Sequence, residues 1–414
     1  MASTPFSSDQ RRLFIFLGVA TFFEGFDFFA LAQVLPNLRA DLGLSKQAAG
    51  WLFAFVNLGT VIAWPLIRRA DRWGRRRVMM ITIVGYTVFT LLSGLAWDVW
   101  SFGLFQFAAR IFLIGEWATS MVYAAEEYPA DRRGTVIGVL QAFSSLGAVV
   151  CAGVAPLLLS TAYGWRSVYF AGILPLMVLA YARRGLRETR RFAAQAAAPA
   201  VRREPILRSP HRRRVLQLGA VWFFTYACSN TAISFWKDFA VNERGLTDGQ
   251  VGLAMTIGAL GSMPLVFLSG RLLDAWGRRR GAVLIYAATS AGVALAYTLH
   301  DRWALTAALV VAIFGVSAVL PVVNAYTTEL FPTARRAEAF AWANNLLGRP
   351  GYVAAPILIG GLAETHGWGP AIAPTAVLPI VALLLILRWF PETRGLELED
   401  TAENAEVDPA PRGS

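Results

Sequence analysis

Two stretches of the chain are nearly identical, DRWGRRR at residues 71–77 and DAWGRRR at residues 274–280. Every matched position in the two stretches is 203 residues apart. The same offset of 203 residues separates two further pairs of landmarks, which are Pro129 with Pro332 and Gly164-Trp165 with Gly367-Trp368. Chance supplies one such coincidence, whereas several landmarks at one offset predict two homologous halves.

The sequence around these stretches is apolar, with 56% hydrophobic and 16% charged residues and a mean hydropathy of +0.49. A soluble domain carries roughly a quarter of its residues as charged types. A helix needs roughly 20 apolar residues to cross the hydrocarbon core of a membrane. We therefore predict an all-α membrane protein with twelve transmembrane helices, at residues 12–37, 48–67, 78–97, 101–124, 135–159, 166–182, 215–240, 250–272, 281–299, 303–327, 338–362 and 369–389.

The basic residues predict how these spans are oriented. Of the 38 Lys and Arg residues, 30 lie in or at the border of segments predicted to be cytoplasmic, six in or at the border of outer loops, and two, Arg110 and Arg349, well inside spans. This bias follows the positive-inside rule and predicts cytoplasmic termini in a plasma membrane, the inner membrane if the source is bacterial. The predicted parts are a cytoplasmic N-terminus (1–11), a first six-helix half (12–182), a basic cytoplasmic linker (183–214), a second six-helix half (215–389) and an acidic cytoplasmic tail (390–414).

Several other classes of protein do not fit the sequence. The net charge of +11 lies beside predicted spans, without the interleaved aromatic residues of a nucleic-acid-binding surface. The three histidines are too far apart to form a metal site with the two cysteines, which lie in apolar runs. No catalytic constellation lies within the spans and no P-loop is present, so we expect neither an enzyme nor a bound cofactor. We expect a monomer.

A six-plus-six chain with this loop after the second span of each half resembles the major facilitator superfamily. The family's full motif is Gly-x-x-x-Asp-x-x-Gly-Arg-Arg/Lys. The second copy matches it from Gly270 onward, whereas the first copy has Ile67 where the family has glycine. The resemblance covers residues 10–395 and implies the family's fold, with transport by alternating access between the two halves.

Other motifs resemble one branch of that family, the proton-coupled carriers of aromatic acids, shikimate, sialate, lactate and nicotinate. They are Gly115-Glu116-Trp117, EEYPADRRG at 126–134 and the stretch at 329–356. FPETRG at 390–395 resembles the C-terminal motif of sugar porters. Glu24-Gly25-Phe26-Asp27 resembles the Asp-Gly-x-Asp motif of aromatic-acid:proton symporters, with a longer carboxylate in the first position.

Three carboxylates within the spans are candidates for proton coupling. Asp27 and Glu24 lie three residues apart in the first span, so they share a helix face and repel each other when both are ionised. A charge at mid-bilayer costs at least about 2.5 kcal/mol, so such a residue needs a partner, a wet cavity or a proton. Arg110 is the natural cationic partner, although the family places this arginine where Gln106 stands here. Glu116 either lines the cavity or holds a neighbouring helix.

Arg349 is the principal candidate for substrate binding. Its guanidinium can hold a carboxylate through two parallel hydrogen bonds, which are strong in a low-dielectric site. In related organic-anion carriers an arginine at this motif position meets the substrate's charge, and the alternative is an ion pair across the halves. We predict further substrate-binding residues at Arg110, Asn230, Asn345, Tyr226 and Tyr326. Asn230 is 203 residues after Asp27.

Charged residues at the cytoplasmic helix ends are candidates for gating, because acid–arginine pairs there can hold the halves together while the cavity is open to the outside. The alternative is that they are solvated charges that set topology. The candidates are Asp71, Arg75, Asp274, Arg278, Glu126, Glu127 and Glu329.

These features together predict a secondary active transporter that carries a small organic carboxylate with protons. The aromatic residues, 13% of the chain, favour an aromatic substrate. The alternatives within transport are a sugar or polyol porter and a carrier of organic cations or drugs. Outside transport, the alternative is a transporter-like receptor or sensor, which the short acidic tail disfavours.

Overall fold

The computed structural model describes residues 7–128, 130–182, 187–188, 206–331 and 333–394, and all the regular elements in these residues are helices. In the first half of the sequence the helices are α1 (Ser8–Leu42), α2 (Lys46–Ile62), α3 (Trp64–Trp73), α4 (Arg75–Gly94), α5 (Val99–Glu127), α6 (Ala130–Leu159), α7 (Arg166–Phe170) and α8 (Ile173–Ala182). In the second half they are α9 (Arg212–Ser234), α10 (Trp236–Asn242), α11 (Asp248–Trp276), α12 (Arg278–Thr298), α13 (Arg302–Glu329), α14 (Thr333–Phe340), a π-helical segment (Ala341–Gly348), α15 (Pro350–His366), α16 (Trp368–Ile372) and α17 (Val377–Trp389).

Ten helical stretches in the described residues are long and apolar enough to cross a membrane. They coincide with ten of the twelve predicted spans. Shorter helices cover the other two: α7 and α8 lie in predicted span 166–182, and α9 and α10 lie in predicted span 215–240. Ten of the predicted spans are therefore long apolar helices in the structure, and the hydrophobic pattern gave no sign of the breaks after Phe170 and Ser234 in the other two.

The ends of the first helix follow ordinary capping chemistry. Ser7 accepts a hydrogen bond from the backbone of Gln10 at 3.2 Å, and the side chain of Gln10 accepts one from the backbone of Ser7 at 3.1 Å. This capping box satisfies two N–H groups at the helix start. At the other end, Gly43 has φ +62°, which is the left-handed conformation that commonly ends helices.

One compact unit is made by the described parts of residues 1–45, 55–200 and 247–256. Within it, two glycines allow the backbones of α1 and α6 to touch. A Cβ atom on Gly25 would overlap the carbonyl oxygen of Ser144, and one on Gly147 would overlap that of Phe22. Small residues of this kind are the usual means of close helix packing in membranes.

A second compact unit is made by the described parts of residues 46–54, 201–246 and 257–414. Within it, α9 packs against the π-helical segment and α15, again through glycines. A Cβ atom on Gly219 would lie 2.6 Å from that of Leu347, and one on Gly351 would lie 2.5 Å from the carbonyl oxygen of Phe223. This close packing holds the π-helical segment against α9.

The repeated landmarks adopt repeated backbone conformations. Gly74 and Gly277, the glycines of the duplicated motif, both have φ +93°, which favours glycine because it has no Cβ. Gly164 and Gly367 also have positive φ, at +53° and +88°. The fixed offset therefore marks equivalent turns in the two halves of the sequence.

Candidate functional site

Asp27 is buried on α1, and its two carboxylate oxygens have different surroundings. The oxygen Oδ2 accepts hydrogen bonds from two α4 hydroxyls, that of Tyr86 and that of Thr90, the latter at 3.3 Å. The other oxygen, Oδ1, has no hydrogen-bond partner among the described residues. One oxygen is therefore held by two hydroxyls, while the other is buried with a lone pair that a proton could occupy.

The structure brings Glu24 and Arg110 to the same region of this unit. Glu24 is buried about one helical turn before Asp27 and lies within electrostatic range of the Tyr86 hydroxyl. The guanidinium of Arg110, on α5, lies 4.2 Å from the ring centroid of Phe28 and within electrostatic range of Asp27. Two carboxylates and one guanidinium thus share a buried region of this unit.

Gln106 stands where the resembling family has its arginine, and it has a different contact. Its amide Nε2 donates to the hydroxyl of Ser93 on α4 at 3.0 Å, and both side chains are buried. Gln106 therefore ties α5 to α4, and the guanidinium is supplied by Arg110, one helical turn further along α5.

Glu116 is fully buried on α5, and both of its oxygens accept hydroxyl hydrogen bonds. Thr82 on α4 donates to Oε2 at 2.6 Å, and Ser120 on α5 donates to Oε1 at 3.0 Å. These contacts favour the second of the two alternatives from the sequence, a carboxylate that holds a neighbouring helix.

In the other unit, three aromatic side chains pack against one another at tilted angles. The rings of Trp222 and Tyr226 have centroids 4.9 Å apart, and the rings of Tyr226 and Tyr352 have centroids 4.4 Å apart. The amide Nδ2 of Asn344 donates to the hydroxyl of Tyr226 at 2.8 Å. We call these four residues the aromatic cluster.

Asn230 lies beside the aromatic cluster. Its amide approaches the carbonyl oxygen of Tyr352 at 3.5 Å, and its own carbonyl accepts from the hydroxyl of Ser234 at 3.3 Å. Asn230 therefore links α9 to α15.

Arg349 follows directly after the π-helical segment. Its backbone N–H donates to the carbonyl of Asn344, five residues earlier, at 3.0 Å, and the backbone N–H of Tyr352 donates to the carbonyl of Arg349 at 2.8 Å. The Arg349 side chain is half-buried and lies within electrostatic range of the Tyr226 hydroxyl. Asn345 is half-buried in the same π-helical segment. Segments of this kind are rare and often lie at functional sites.

Tyr326, the remaining predicted substrate residue, has different neighbours. Its ring packs on Phe390 with centroids 5.1 Å apart, and it is within electrostatic range of Glu392, Arg279 and Glu329. These contacts associate Tyr326 with the charged network at the repeated motif.

That charged network has the same geometry in both halves. The Nε and terminal nitrogens of Arg75 donate to Glu126 at 3.1 and 2.9 Å, and a third donor meets the carbonyl of Ala70 at 3.0 Å. The matching distances are 3.2, 2.9 and 2.9 Å for Arg278 with Glu329 and with the carbonyl of Leu273. Each arginine therefore joins two helices of its own unit.

Two further carboxylates in this network were missed by the sequence reasoning. Glu188 accepts the backbone N–H of Arg75 at 2.9 Å, and Glu392 accepts those of Arg278 at 2.7 Å and Arg279 at 3.0 Å. Burial raises the pKa of Glu392, but these backbone hydrogen bonds outweigh it and hold the pKa below its usual value. The sequence contains a pattern that could have revealed both glutamates, because Glu-Thr-Arg occurs at 188–190 and again at 392–394.

The other predicted gating residues and segments are only partly described. At Glu127, the backbone carbonyl accepts a hydrogen bond from Gln10 at 3.3 Å. The side chains of Asp71 and Asp274, residues 189–205 of the predicted linker and the tail from residue 395 lie outside the described residues. Within the described part of the chain, no group of three or more His, Cys, Asp or Glu residues could hold a metal ion.

Comparison with known proteins supports the assignment of fold and class. The family model described as Major Facilitator Superfamily matches residues 17–237 and again residues 218–412. A probable 4-methylmuconolactone transporter of Cupriavidus pinatubonensis is 26% identical over 98% of this chain and 96% of the relative. The cis,cis-muconate transport protein of Acinetobacter baylyi is 28% identical over 86% of this chain and 89% of the relative.

The fold is also similar to that of solved transporters. The xylose transporter of E. coli, in a partially occluded inward-open conformation, aligns with a TM-score of 0.74 at 18% identity and covers 94% of this chain and 100% of that chain. At this level of identity the likeness concerns the fold alone.

Proposed function

The chain belongs to the major facilitator superfamily, and from that premise we propose that it carries a small organic carboxylate across the membrane together with protons. It is an integral multi-pass membrane protein and a secondary transporter with the family's twelve-helix fold, and it is not an enzyme. The proposal adds the substrate class, the coupling ion and the residues that serve each. We further propose cytoplasmic termini, based on the distribution of basic residues, and a monomer.

The observation that carries the proposal is the position of Arg349 next to the aromatic cluster. A half-buried guanidinium presents a planar pair of donors that matches a carboxylate. The rings of Tyr226 and Tyr352 offer an apolar and polarisable surface within the same unit. A substrate with a carboxylate and a flat unsaturated body fits both features. The names of the relatives, which specify muconate and a methylmuconolactone, support the same substrate class.

We assign the transported proton to Asp27. One carboxylate oxygen is held by the hydroxyls of Tyr86 and Thr90, and the other is buried without a hydrogen-bond partner among the described residues. Loss of the negative charge on protonation weakens the attraction to Arg110, because two unit charges interact far more strongly in a low-dielectric interior than in water. Glu24 is the alternative proton carrier, as it is buried on the same helix face.

The arginine networks have a different role in this proposal. Arg75 with Glu126 and Arg278 with Glu329 join helices within one unit, so they keep the end of each unit rigid. Rigid bodies of this kind are what alternating access by rocking requires. The substrate and the proton would then bias the equilibrium between two arrangements by binding one of them more tightly.

The proposal is tested by uptake into proteoliposomes of labelled benzoate, cis,cis-muconate, xylose and tetraethylammonium, with and without an imposed pH gradient. We expect the acids to enter faster than into protein-free liposomes and to accumulate only with the gradient, and we expect the other two compounds not to accumulate. Accumulation of xylose or of the cation instead would replace the carboxylate assignment with one of the rival carriers. Accumulation of acids without any gradient would remove proton coupling.

The role of Arg349 is tested by the Arg349→Lys variant. Lysine keeps the charge but loses the planar fork, so we expect affinity for benzoate to fall at least about tenfold while affinity for benzamide changes little. Arg302→Lys is the matched control, because Arg302 is an arginine of the same unit that packs on Trp303, at 4.5 Å, instead of on the aromatic cluster. Equal losses for benzoate and benzamide would mean that Arg349 does not meet the anion.

A further inference from the structure

The hydroxyl of Tyr226 is held in an unusual way. Tyr226 and Asn344 are 7% and 3% exposed, so neither depends on bulk water for its hydrogen bonds. The Tyr226 oxygen accepts a hydrogen bond from the amide of Asn344 at 2.8 Å, and none of the described residues accepts the Tyr226 hydrogen. A buried donor without an acceptor costs free energy, which a bound ligand with a suitable acceptor recovers.

Two other rings restrict the movement of the Tyr226 ring. Trp222 packs against it at 4.9 Å between centroids, and Tyr352 packs at 4.4 Å. The hydroxyl hydrogen can rotate about the bond between ring and oxygen, but the hydrogen bond from Asn344 occupies one side of the oxygen. Asn344 therefore restricts the direction in which the Tyr226 hydrogen points.

The π-helical turn brings this donor close to Arg349. Residues five apart in an α-helix differ by about 140° around the axis. Here the backbone hydrogen bond from Arg349 to Asn344 spans five residues and closes a wider turn, which brings the two side chains toward one face. The π-helical segment thus supplies the amide that orients Tyr226, and the residue directly after the segment supplies the guanidinium.

We propose that the Tyr226 hydroxyl donates a second hydrogen bond to the substrate carboxylate held by Arg349, and that Asn344 is the positioning residue that aims it. This inference rests on the proposed function. A carboxylate offers about four lone-pair sites, of which a guanidinium fork uses two, so an acceptor site remains for Tyr226. An amide has one acceptor oxygen and presents N–H groups in place of the other, so Tyr226 adds selectivity for the anion.

The test measures binding of benzoate and benzamide to the purified full-length transporter. Tyr226→Phe keeps the aromatic stack, and we expect it to lose about tenfold in affinity for benzoate and little for benzamide. Tyr286→Phe is the matched control, because the Tyr286 hydroxyl is buried in the same unit but already bonded to Thr225 at 3.0 Å. We expect no change in benzoate affinity for this control.

The role of Asn344 is tested by a double-mutant cycle with Asn344→Leu. We expect the single change to cost about fivefold for benzoate, and the double variant with Tyr226→Phe to bind no more weakly than Tyr226→Phe alone. A purely structural role for Asn344 would weaken benzoate and benzamide equally and would add to the loss from Tyr226→Phe. That result would overturn the positioning role, and Asn344→Ser provides the same comparison if the leucine variant does not fold.

The outcomes separate this inference from the proposed function. Normal benzoate binding by Tyr226→Phe, together with weak binding by Arg349→Lys, would overturn the inference and leave the proposed function standing. Normal binding by Arg349→Lys, or failure of the unmodified transporter to bind either benzoate or cis,cis-muconate, would overturn the proposed carboxylate site and the inference with it.

Discussion

Replacing Asp27 by asparagine is the sharpest test of proton coupling. Asparagine has the same shape as aspartate and retains a carbonyl oxygen that can accept from the hydroxyls of Tyr86 and Thr90, the latter at 3.3 Å. The amide group takes the position of Oδ1, which has no hydrogen-bond partner among the described residues. The unsatisfied amide N–H groups cost free energy, but removing a buried charge offsets that cost, so we expect Asp27→Asn to insert and fold with a loss of about 1 kcal/mol in the free energy of unfolding.

The effect on transport follows from the energy stored in the gradient. One pH unit stores about 1.4 kcal/mol per proton, which is about a tenfold accumulation when one proton accompanies each substrate. Asparagine does not titrate, so the Asp27→Asn variant can equilibrate the substrate but cannot concentrate it. With a gradient of about one pH unit, we expect the protein-dependent uptake of labelled benzoate, measured at early times above that of protein-free liposomes, to approach about tenfold accumulation in the unmodified transporter and to show no concentration in Asp27→Asn.

Exchange between internal and external substrate distinguishes uncoupling from inactivation. Exchange requires no net release of a proton, so Asp27→Asn liposomes preloaded with unlabelled benzoate should still take up labelled benzoate. Glu24→Gln serves as the comparison on the same helix face. Full gradient-driven accumulation by Asp27→Asn would refute the reasoning, and its loss in Glu24→Gln instead would move the proton to Glu24.

Three further predictions concern residues outside the substrate site. Glu116→Gln should keep gradient-driven accumulation, because the Glu116 carboxylate accepts a hydrogen bond from Thr82 at 2.6 Å and joins α4 to α5. If the variant lost accumulation but kept normal exchange, Glu116 would be assigned to proton coupling. Gly147→Ala should lower the free energy of unfolding by about 2 kcal/mol, since the new Cβ would overlap a backbone oxygen. Gly138 lies on the same helix and faces open space, so Gly138→Ala should be neutral or stabilising, and thermal unfolding in detergent measures both variants. Glu392→Gln should lower the free energy of unfolding by about 1 kcal/mol at neutral pH, as loss of a charged helix cap does. The difference from the unmodified protein should shrink as the pH falls below 4.5, because a carboxylate whose pKa is lowered in the folded state loses its stabilising effect when it is protonated. Thermal unfolding at a series of pH values checks this, and a difference that stays constant with pH would argue against the cap.

The sequence predicted the spans and the repeated turns because both are local properties. A hydrophobic stretch of sufficient length can be recognised without knowledge of any tertiary contact. The glycines of the motif, Gly74 and Gly277, adopt a positive φ that residues with a Cβ rarely adopt. The motif also pointed to acid–arginine pairs at these helix ends, and the structure contains two of them, Arg75 with Glu126 and Arg278 with Glu329. Their role in gating between the halves stays a prediction.

The partners of the site residues could not be predicted, because they come from distant parts of the chain. Tyr86 is 59 residues from Asp27, and Asn344 is 118 residues from Tyr226. Nothing in a single sequence specifies which helices meet or at what depth. The π-helical turn at Ala341–Gly348 is equally hidden, since a shift of one residue in backbone hydrogen bonding depends on packing against α9 and not on local propensity.

The carboxylate caps at Glu188 and Glu392 have a consequence for how such a protein could arise. Each caps the helix that follows the repeated motif in its own half of the sequence, at a separation of 113 residues for Arg75 and 114 residues for Arg278. An ancestral gene for one half would already have encoded the arginine, its acidic partner and the capping glutamate. Tandem duplication of that gene would then join two segments that each stabilise their own turn at the repeated motif, without requiring new complementary mutations at the fusion point.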